Sequence, residues 1–329
     1  MEYELLRDVC TINMGQSPKS ISYNDSGIGL PFFQGNADFG EKYPIARKWC
    51  SEPIKIAKPN DILISVRAPI GALNYVDENC CIGRGLAALT VNEKMVLPQF
   101  IYWVLKGKTE ELNEMGAGST FKAIGRTVLE EIKIPKMSIN RQAQIIFALE
   151  NVYKQISMRG RMLEYFDNLI KARFVEMFLD KGYPVLPWND VFNTTTGKID
   201  SNAMVEDGKY PFFTCAKEVF RIDKYAFDQE ALLLAGNNAA GKYDVKYYKG
   251  KFNAYQRTYV LGLKQKWSYR LFQNQLEEKL VYLQQKSLGG LTKYLTMKIL
   301  GELSFIIPPI DKQIEFEQFV IQVDKSRFV

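Results

Sequence analysis

The segment Gly236-Asn-Asn-Ala-Ala-Gly-Lys242 carries the GxxxxGK spacing with which a glycine-rich loop cradles phosphates. The next residue should be Ser or Thr, whose hydroxyl holds magnesium, and here it is Tyr243. A helix should then follow, because its first amides bind the phosphate. Instead Tyr243-Asp-Val-Lys-Tyr-Tyr-Lys-Gly250 reads as a strand and a turn. Glu131-Ile-Lys133 supplies the E-x-K triplet of metal-dependent nucleases, but its later copy, Leu303-Ser-Phe305, lacks both charges. Methyl transfer would need a glycine-rich cofactor loop after a first strand and an Asn/Asp-Pro-Pro-aromatic motif, and neither is present. The chain has no histidine, which removes Ser-His-Asp and Cys-His nucleophiles, His-ligated zinc and His general bases. The expectation is a protein that binds: not an enzyme, with no catalytic residue, metal site or cofactor of its own.

Binding chemistry is better represented. Residues 242–259 hold Lys242, Lys246, Lys249, Lys251 and Arg257 against the single Asp244, interleaved with tyrosines and Phe252. Lys and Arg neutralise phosphates, while Arg, Asn and Gln also reach base edges. A half-exposed strand pair with a soluble basic face would show the same composition. Asn13-Met-Gly-Gln-Ser-Pro-Lys19 is a polar loop able to contact a backbone, or an ordinary turn. Gly116-Ala-Gly-Ser-Thr-Phe-Lys122 and Leu288-Gly-Gly-Leu-Thr-Lys293 are two matched loops, each ending in lysine. Residues whose chemistry suits contacts of this kind are Gln16, Lys19, Arg67, Arg84 and Lys122 in the first half of the chain. In the second half they are Asn237, Asn238, Lys242, Lys246, Arg257 and Lys293. Arg67, Arg84, Asn237, Asn238 and Arg257 are the expected base contacts.

These residues are positioned by a duplicated plan. Pro31-Phe-Phe33 recurs as Pro211-Phe-Phe213, and the apolar run after Asp61 recurs after Glu230. Arg84 answers to Arg257, Gly118-Ser-Thr120 to Gly290-Leu-Thr292, and Ile132-Lys-Ile-Pro135 with Arg141-Gln142 to Phe305-Ile-Ile-Pro308 with Lys312-Gln313. Five matches in one order, at offsets of 170 to 180 residues, are a repeat. The two halves should superpose as one fold. Strands are expected at 62–66, 86–91, 132–134, 232–235, 258–263 and 305–307, with helices at 98–105 and 269–283.

Residues 140–178 contain no proline and only one glycine, Gly160. Ile145, Leu149, Val152, Ile156, Leu163, Phe166, Ile170 and Met177 recur in steps of four and three, with Arg159 and Arg173 in the two remaining seam places. A period of 3.5 is a coiled-coil seam. The helix would be about 58 Å long, ended by Gly182 and Pro184. Its counterpart begins at Ile310, only about 20 residues before the last residue, Val329. Antiparallel pairing would place Ile314 and Phe319 near Ile170 and Met177 and leave Ile145 to Ile156 uncovered.

The whole is an α+β chain. Residues 1–139 and 181–309 form two similar domains, 140–180 a long spacer helix, and 310–329 the start of a second helix cut short. A length of 329 residues fits two domains. Residues 1–180 carry 22 Lys+Arg against 21 Asp+Glu, and residues 181–329 carry 21 against 16, so the basic excess lies in the second half. Five cysteines without a CxxC read as reduced thiols in a cytoplasm. No apolar run is long enough for a membrane span, and no secretory signal is visible.

Taken in order and twice over, these pieces resemble the specificity subunit of type I restriction–modification systems. They include Gly15-Gln-Ser-Pro18, Pro31-Phe-Phe33, Asp61-Ile-Leu-Ile64, Gly118-Ser-Thr120 and Ile132-Lys-Ile-Pro135 with Arg141-Gln142. The resemblance implies two target-recognition domains, each reading half of a bipartite sequence in double-stranded DNA. It implies long helices that pair, space the domains and seat methyltransferase subunits. Those subunits would bring S-adenosylmethionine, and a restriction and translocation subunit would bring ATP and Mg. Self-association through the uncovered helix is a further expectation. Two other classes remain open: the reader of a standalone methyltransferase or nuclease, and a coiled-coil scaffold without DNA function.

Overall fold

The computed structural model describes residues 2–116, 122–239 and 241–327. The chain divides into two compact units, residues 1–158 and 159–329, and each is a mixed α+β body. In the first, a four-stranded antiparallel sheet has the order Cys10–Met14, Leu86–Val91, Ile62–Ser65, Leu73–Tyr75. The strand Ile62–Ser65 is buried on both faces, so it is apolar throughout rather than alternating. Ile62 and Ile64 face one cluster with Leu6, Phe100 and Leu105, while Leu63 faces the opposite one with Phe33 and Ile82. Burying each such side chain contributes about 1.5–3 kcal/mol. Asp61, just before this strand, is also buried; its carboxylate accepts from Thr90 Oγ1 at 2.7 Å and Lys58 N at 2.9 Å. A second sheet contains Leu30–Phe33 lying parallel to Cys80–Ile82.

The second unit repeats this plan. Its six-stranded sheet runs Phe192–Thr196, Thr258–Leu263, Phe227–Ala235, Val245–Ala254, Tyr210–Phe213, Phe220–Ile222. Leu232 and Leu234 face the helix-covered cluster and Leu233 faces the other side, as Ile62, Ile64 and Leu63 do. Pro211-Phe-Phe213 sits in a parallel strand, with Phe212 opposite Asn253 where Phe32 is opposite Cys81. The following turns share their hydrogen bonds. Gly83 N donates to Phe33 O at 2.8 Å and Leu86 N to Gly83 O at 3.0 Å; Tyr255 N donates to Phe213 O at 2.9 Å and Thr258 N to Tyr255 O at 2.8 Å. Gly15 and Gly197 press against these turns, and a Cβ there would lie 2.1 Å and 1.8 Å from the carbonyl oxygens of Gly83 and Ala254.

This register corrects one expected equivalence. Gly83 corresponds to Tyr255 and Leu86 to Thr258, so Arg84 corresponds to Gln256, and Arg257 corresponds to Gly85. A one-residue shift re-aims a side chain, and the two arginines occupy different places in their units. The expected helix at 269–283 is two helices, Tyr269–Glu278 and Leu280–Lys286, and the strand expected at 232–235 extends over Phe227–Ala235. Gly118-Ser-Thr120 lies outside the described residues.

Each unit ends in a helix anchored by a buried glutamine. Gln142 Oε1 accepts from Leu97 N at 2.9 Å, and its Nε2 donates to Met137 O at 3.0 Å. Gln313 Oε1 accepts from Ser268 N at 3.0 Å, and its Nε2 donates to Pro308 O at 2.8 Å. Leu97 and Ser268 are the N-caps of the helices Pro98–Gly107 and Tyr269–Glu278. The glutamine therefore locks the rotation of the helix that carries it.

That rotation decides which apolar residues are covered. The long helix spans Ile139–Phe178, 40 residues and about 60 Å. At its start Gln142 and Ile146 are buried and Ile145 half-buried. Leu149, Val152, Ile156 and Leu163 are exposed. At its end Ile170 and Phe178 are buried, with Phe166, Phe174 and Met177 packed beside them. The helix Ile310–Arg327 lies antiparallel to this end, as Arg173 meets Glu315 at 2.7 Å and Arg327 meets Asp167 at 2.5 Å. Phe319 joins the contact as expected, but Ile314 does not and is 47% exposed. With Gln313 turned inward, positions three, seven and ten further on share its face, and these are Phe316, Val320 and Val323, all buried. Phe316 meets the rings of Phe174 and Phe178 at 5.9 and 5.5 Å.

Phe316→Ala should therefore destabilise the second unit by about 3–5 kcal/mol, and Gln313→Ala by about 1–3 kcal/mol. Ile314→Ala should cost under about 1 kcal/mol. Denaturant midpoints of the three variants check this order.

Candidate nucleic-acid interface

In the first unit the strand Ile62–Ser65 runs out into a loop held by three backbone bonds. Val66 N donates to Gly85 O at 2.9 Å, Ile124 N to Val66 O at 2.9 Å, and Ala68 N to Lys122 O at 3.1 Å. These bonds bring Arg67, Arg84 and Lys122, far apart in sequence, into one loop cluster. Gly85 N also donates to Gln34 O at 3.1 Å, and a Cβ on Gly85 would lie 2.2 Å from that oxygen. Glycine is therefore required there for the loop after Phe33 to approach. Gln34, Asn36, Arg67 and Arg84 line one open cleft, with Asp38 beside them. The Asp38 carboxylate accepts from Gln34 N at 2.7 Å and orders that loop. Arg67 and Arg84 are exposed, and neither side chain makes an ion pair or hydrogen bond among the described residues.

The second unit rebuilds this cluster with different side chains. Gly236 N donates to Arg257 O at 2.9 Å and Leu295 N to Gly236 O at 2.8 Å, matching the bonds of Val66 and Ile124. Asn237 pairs with Tyr294 and Asn238 with Lys293, where Arg67 bridges to Ala123 in the first unit. Asn237 thus stands in the place of Arg67, and Lys293 in that of Lys122. Cys215, from the loop after Phe213, donates its thiol to Arg257 O at 3.4 Å. The GxxxxGK segment is part of this cluster. Lys242 N donates to Asn238 Oδ1 at 3.3 Å, Gly241 has φ +66°, and the chain continues into the strand Val245–Ala254 rather than a helix. The helix N-terminus that a phosphate loop needs is not at this position.

The remaining candidates lie elsewhere. Gln16 lines a separate cleft with Lys55, Lys58 and Arg126. Lys19 is exposed on a short turn where its carbonyl accepts from Ser22. Lys242 is exposed, but Lys246 is engaged by the Asp244 carboxylate and, at 2.9 Å, by Ala216 O. Lys249 pairs with Glu230 at 3.2 Å and Lys251 with Asp228 at 4.0 Å, both across the strand pair. Of the five cations in 242–259, Lys249 and Lys251 are thus offset by carboxylates from the neighbouring strand, a pairing that sequence order concealed, and Lys246 is offset by Asp244 of its own segment. The cleft also holds Gln34 and Asn36, and the register puts Gln256 at the place of Arg84; none of the three is a sequence candidate. The signal was available, since the first two follow the repeated Pro-Phe-Phe motif.

The four cysteines of the first unit are buried. Burial pushes the Cys10, Cys80 and Cys81 thiols up to about 12, and a thiol is a poor nucleophile when protonated.

The fold and its two loop clusters define a duplicated α+β protein. The chain belongs to the type I restriction modification DNA specificity domain family, whose model matches it twice, over residues 1–164 and 181–327. It is 39% identical over 160 residues to a protein described as the type I restriction enzyme MjaX specificity subunit of Methanocaldococcus jannaschii, covering 49% of this chain and 38% of that one. It is 38% identical over 127 residues to the type I restriction enzyme EcoDI specificity subunit of Escherichia coli, covering 38% of this chain and 27% of the relative. The chain thus spans less than half the length of these relatives. A solved type I restriction–modification S subunit from M. genitalium matches 99% of this chain and 90% of its own, with a TM-score of 0.67 and 16% identity, and shares the fold.

A mild thiol reagent near neutral pH should modify one cysteine of the native chain, Cys215, because Cys10, Cys50, Cys80 and Cys81 are buried. All five should react after denaturation. Mass spectrometry of the labelled peptides checks the assignment.

Proposed function

We propose that this chain is a DNA-reading specificity subunit of a type I restriction–modification complex, with each unit reading one half of a bipartite duplex target. The observation that supports this best is the duplicated loop cluster, which presents Arg67, Arg84 and Lys122 in one unit and Asn237, Arg257 and Lys293 in the other. These side-chain types neutralise phosphates and reach base edges, and the chain is basic, with net charge +6. In this reading the chain supplies recognition while partner subunits supply S-adenosylmethionine-dependent methylation and ATP- and Mg-dependent restriction, in the cytoplasm. Among the described residues no helix is long and apolar enough to cross a membrane.

The long helix suits partner docking. Leu149, Val152 and Ile156 are 38%, 54% and 64% exposed, and they form an apolar stripe without cover among the described residues. Methyltransferase subunits are the occupants that the reading assigns to it, with a second copy as the alternative. Val152→Glu combined with Ile156→Glu should abolish co-purification with the methyltransferase or self-association, read by sedimentation, while leaving the unfolding midpoint of each unit in place.

Genome-wide methylation mapping with and without the gene tests the function. Loss of methylation at a single bipartite sequence is expected. Methyl transfer by the purified chain alone would reverse the non-catalytic assignment, and salt-independent or absent DNA binding would favour a scaffold. Lys122→Ala and Lys293→Ala should each weaken all DNA sequences alike and lower the slope of log affinity against log salt by about one.

A further inference from the structure

The chain contains its own comparison, because one scaffold carries two sets of side chains at matched positions. Resting on the DNA-reading function, we infer that the pairs which differ between the units read bases and the pair which is the same holds the backbone. The hydrogen-bond register makes the matches. Lys122 corresponds to Lys293, and both follow the matched loops that end in lysine. Arg67 corresponds to Asn237, Arg84 to Gln256, and Gly85 to Arg257. Counting on from Phe33 and Phe213, Gln34 corresponds to Thr214 and Asn36 to Ala216.

A lysine that is common to both readers suits a partner that is common to both, the sugar-phosphate backbone. Phosphate contacts fix register and carry no sequence information. The differing residues are those whose planar donors and acceptors match base edges: Arg to guanine O6 and N7, Asn or Gln to adenine N6 and N7. In the first unit Gln34, Asn36, Arg67 and Arg84 line one cleft, and the Asp38 carboxylate is part of the same wall. The Asp38 carboxylate offsets part of the charge of the two arginines, so the cleft is less cationic than its arginines alone would make it, and its carboxamides add neutral donors and acceptors suited to base edges. Gln34 is exposed and free to turn its amide, since Asp38 binds its backbone N–H and not its side chain. The cleft of the first unit thus selects guanine through Arg67 or Arg84 and adenine through Gln34 or Asn36. The loop after Phe213 has Thr214, Cys215 and Ala216 instead and presents no carboxamide there. The second unit selects guanine through Arg257 and adenine through Asn237.

The test is selection from a randomised duplex pool by the full 329-residue chain and its variants, with sequencing of the bound DNA. For the unaltered chain a bipartite consensus is expected. Arg67→Ala should relax one guanine, and Gln34→Ala one adenine, by about tenfold or more, both within the same half of the consensus. Arg257→Ala should relax a guanine in the other half only. Lys122→Ala should leave the consensus unchanged while lowering affinity. If Arg67→Ala and Gln34→Ala weaken every sequence by one factor, or leave the consensus intact, this division of labour is wrong although the chain still reads DNA. If the unaltered chain enriches no sequence, the reading of the chain as a DNA reader fails with it. Unfolding midpoints equal to that of the unaltered chain show that each substituted surface residue leaves the fold in place.

Discussion

A buried carboxamide at the root of each closing helix governs this architecture. Gln142 and Gln313 each accept from the N-cap amide of a neighbouring helix and donate to a carbonyl at their own helix's start. The bonds are almost wholly shielded from water, with the residues 2% and 1% exposed, so leaving either group unpaired would carry the full desolvation cost. A side chain with one acceptor and one two-proton donor group closes both bonds at once. The consequence runs the length of each helix. Fixing one position sets the phase of every later one, and it directs Ile146 in one unit and Phe316, Val320 and Val323 in the other toward the core.

The same economy applies at the opposite end of the sheets. Backbone hydrogen bonds, and glycines where backbones nearly touch, assemble the loop clusters without help from the side chains that face outward. Gly15, Gly85 and Gly197 are required because another chain segment already occupies the space of a Cβ. Outward residues are thereby released from structural duty and are free to differ between the units, as Arg67 and Asn237 do. The chemistry the clusters present can thus change while the scaffold keeps its energy.

Charge distribution follows pairing rather than sequence density. The lysine-rich strand near residue 250 looks like a polyanion surface in one dimension, yet Glu230 and Asp228 lie opposite Lys249 and Lys251. Such exposed pairs add little stability, but they reduce the local field. Arg67 and Arg84, which make no ion pair among the described residues, are drawn from separate segments with little local excess of charge. Positive character at a loop cluster is therefore a property of the folded form.

Several features could be read before folding, because they are local or periodic. The two copies of Pro-Phe-Phe, the apolar strand runs, the glutamine that opens each closing helix and the long helical segment all announced the duplication and the α+β class. Arg67, Arg84, Asn237 and Arg257 stand out in the sequence as candidates only, since their types suit DNA and they flank repeated motifs. Tertiary structure decided what depends on distant partners. The neighbouring strand set the one-residue register that separates Arg84 from Arg257, and its carboxylates engaged the lysines. Gln313 set the rotation that buries Phe316 in place of Ile314. Gln34 and Asn36 became part of the cleft only because Gly85 lets their loop lie against the turn that carries Arg84. Periodicity reports which face of an element is apolar, but not the angle at which that face meets its neighbour. That angle was set by hydrogen bonds between residues about 45 positions apart, a separation at which sequence pattern carries no phase.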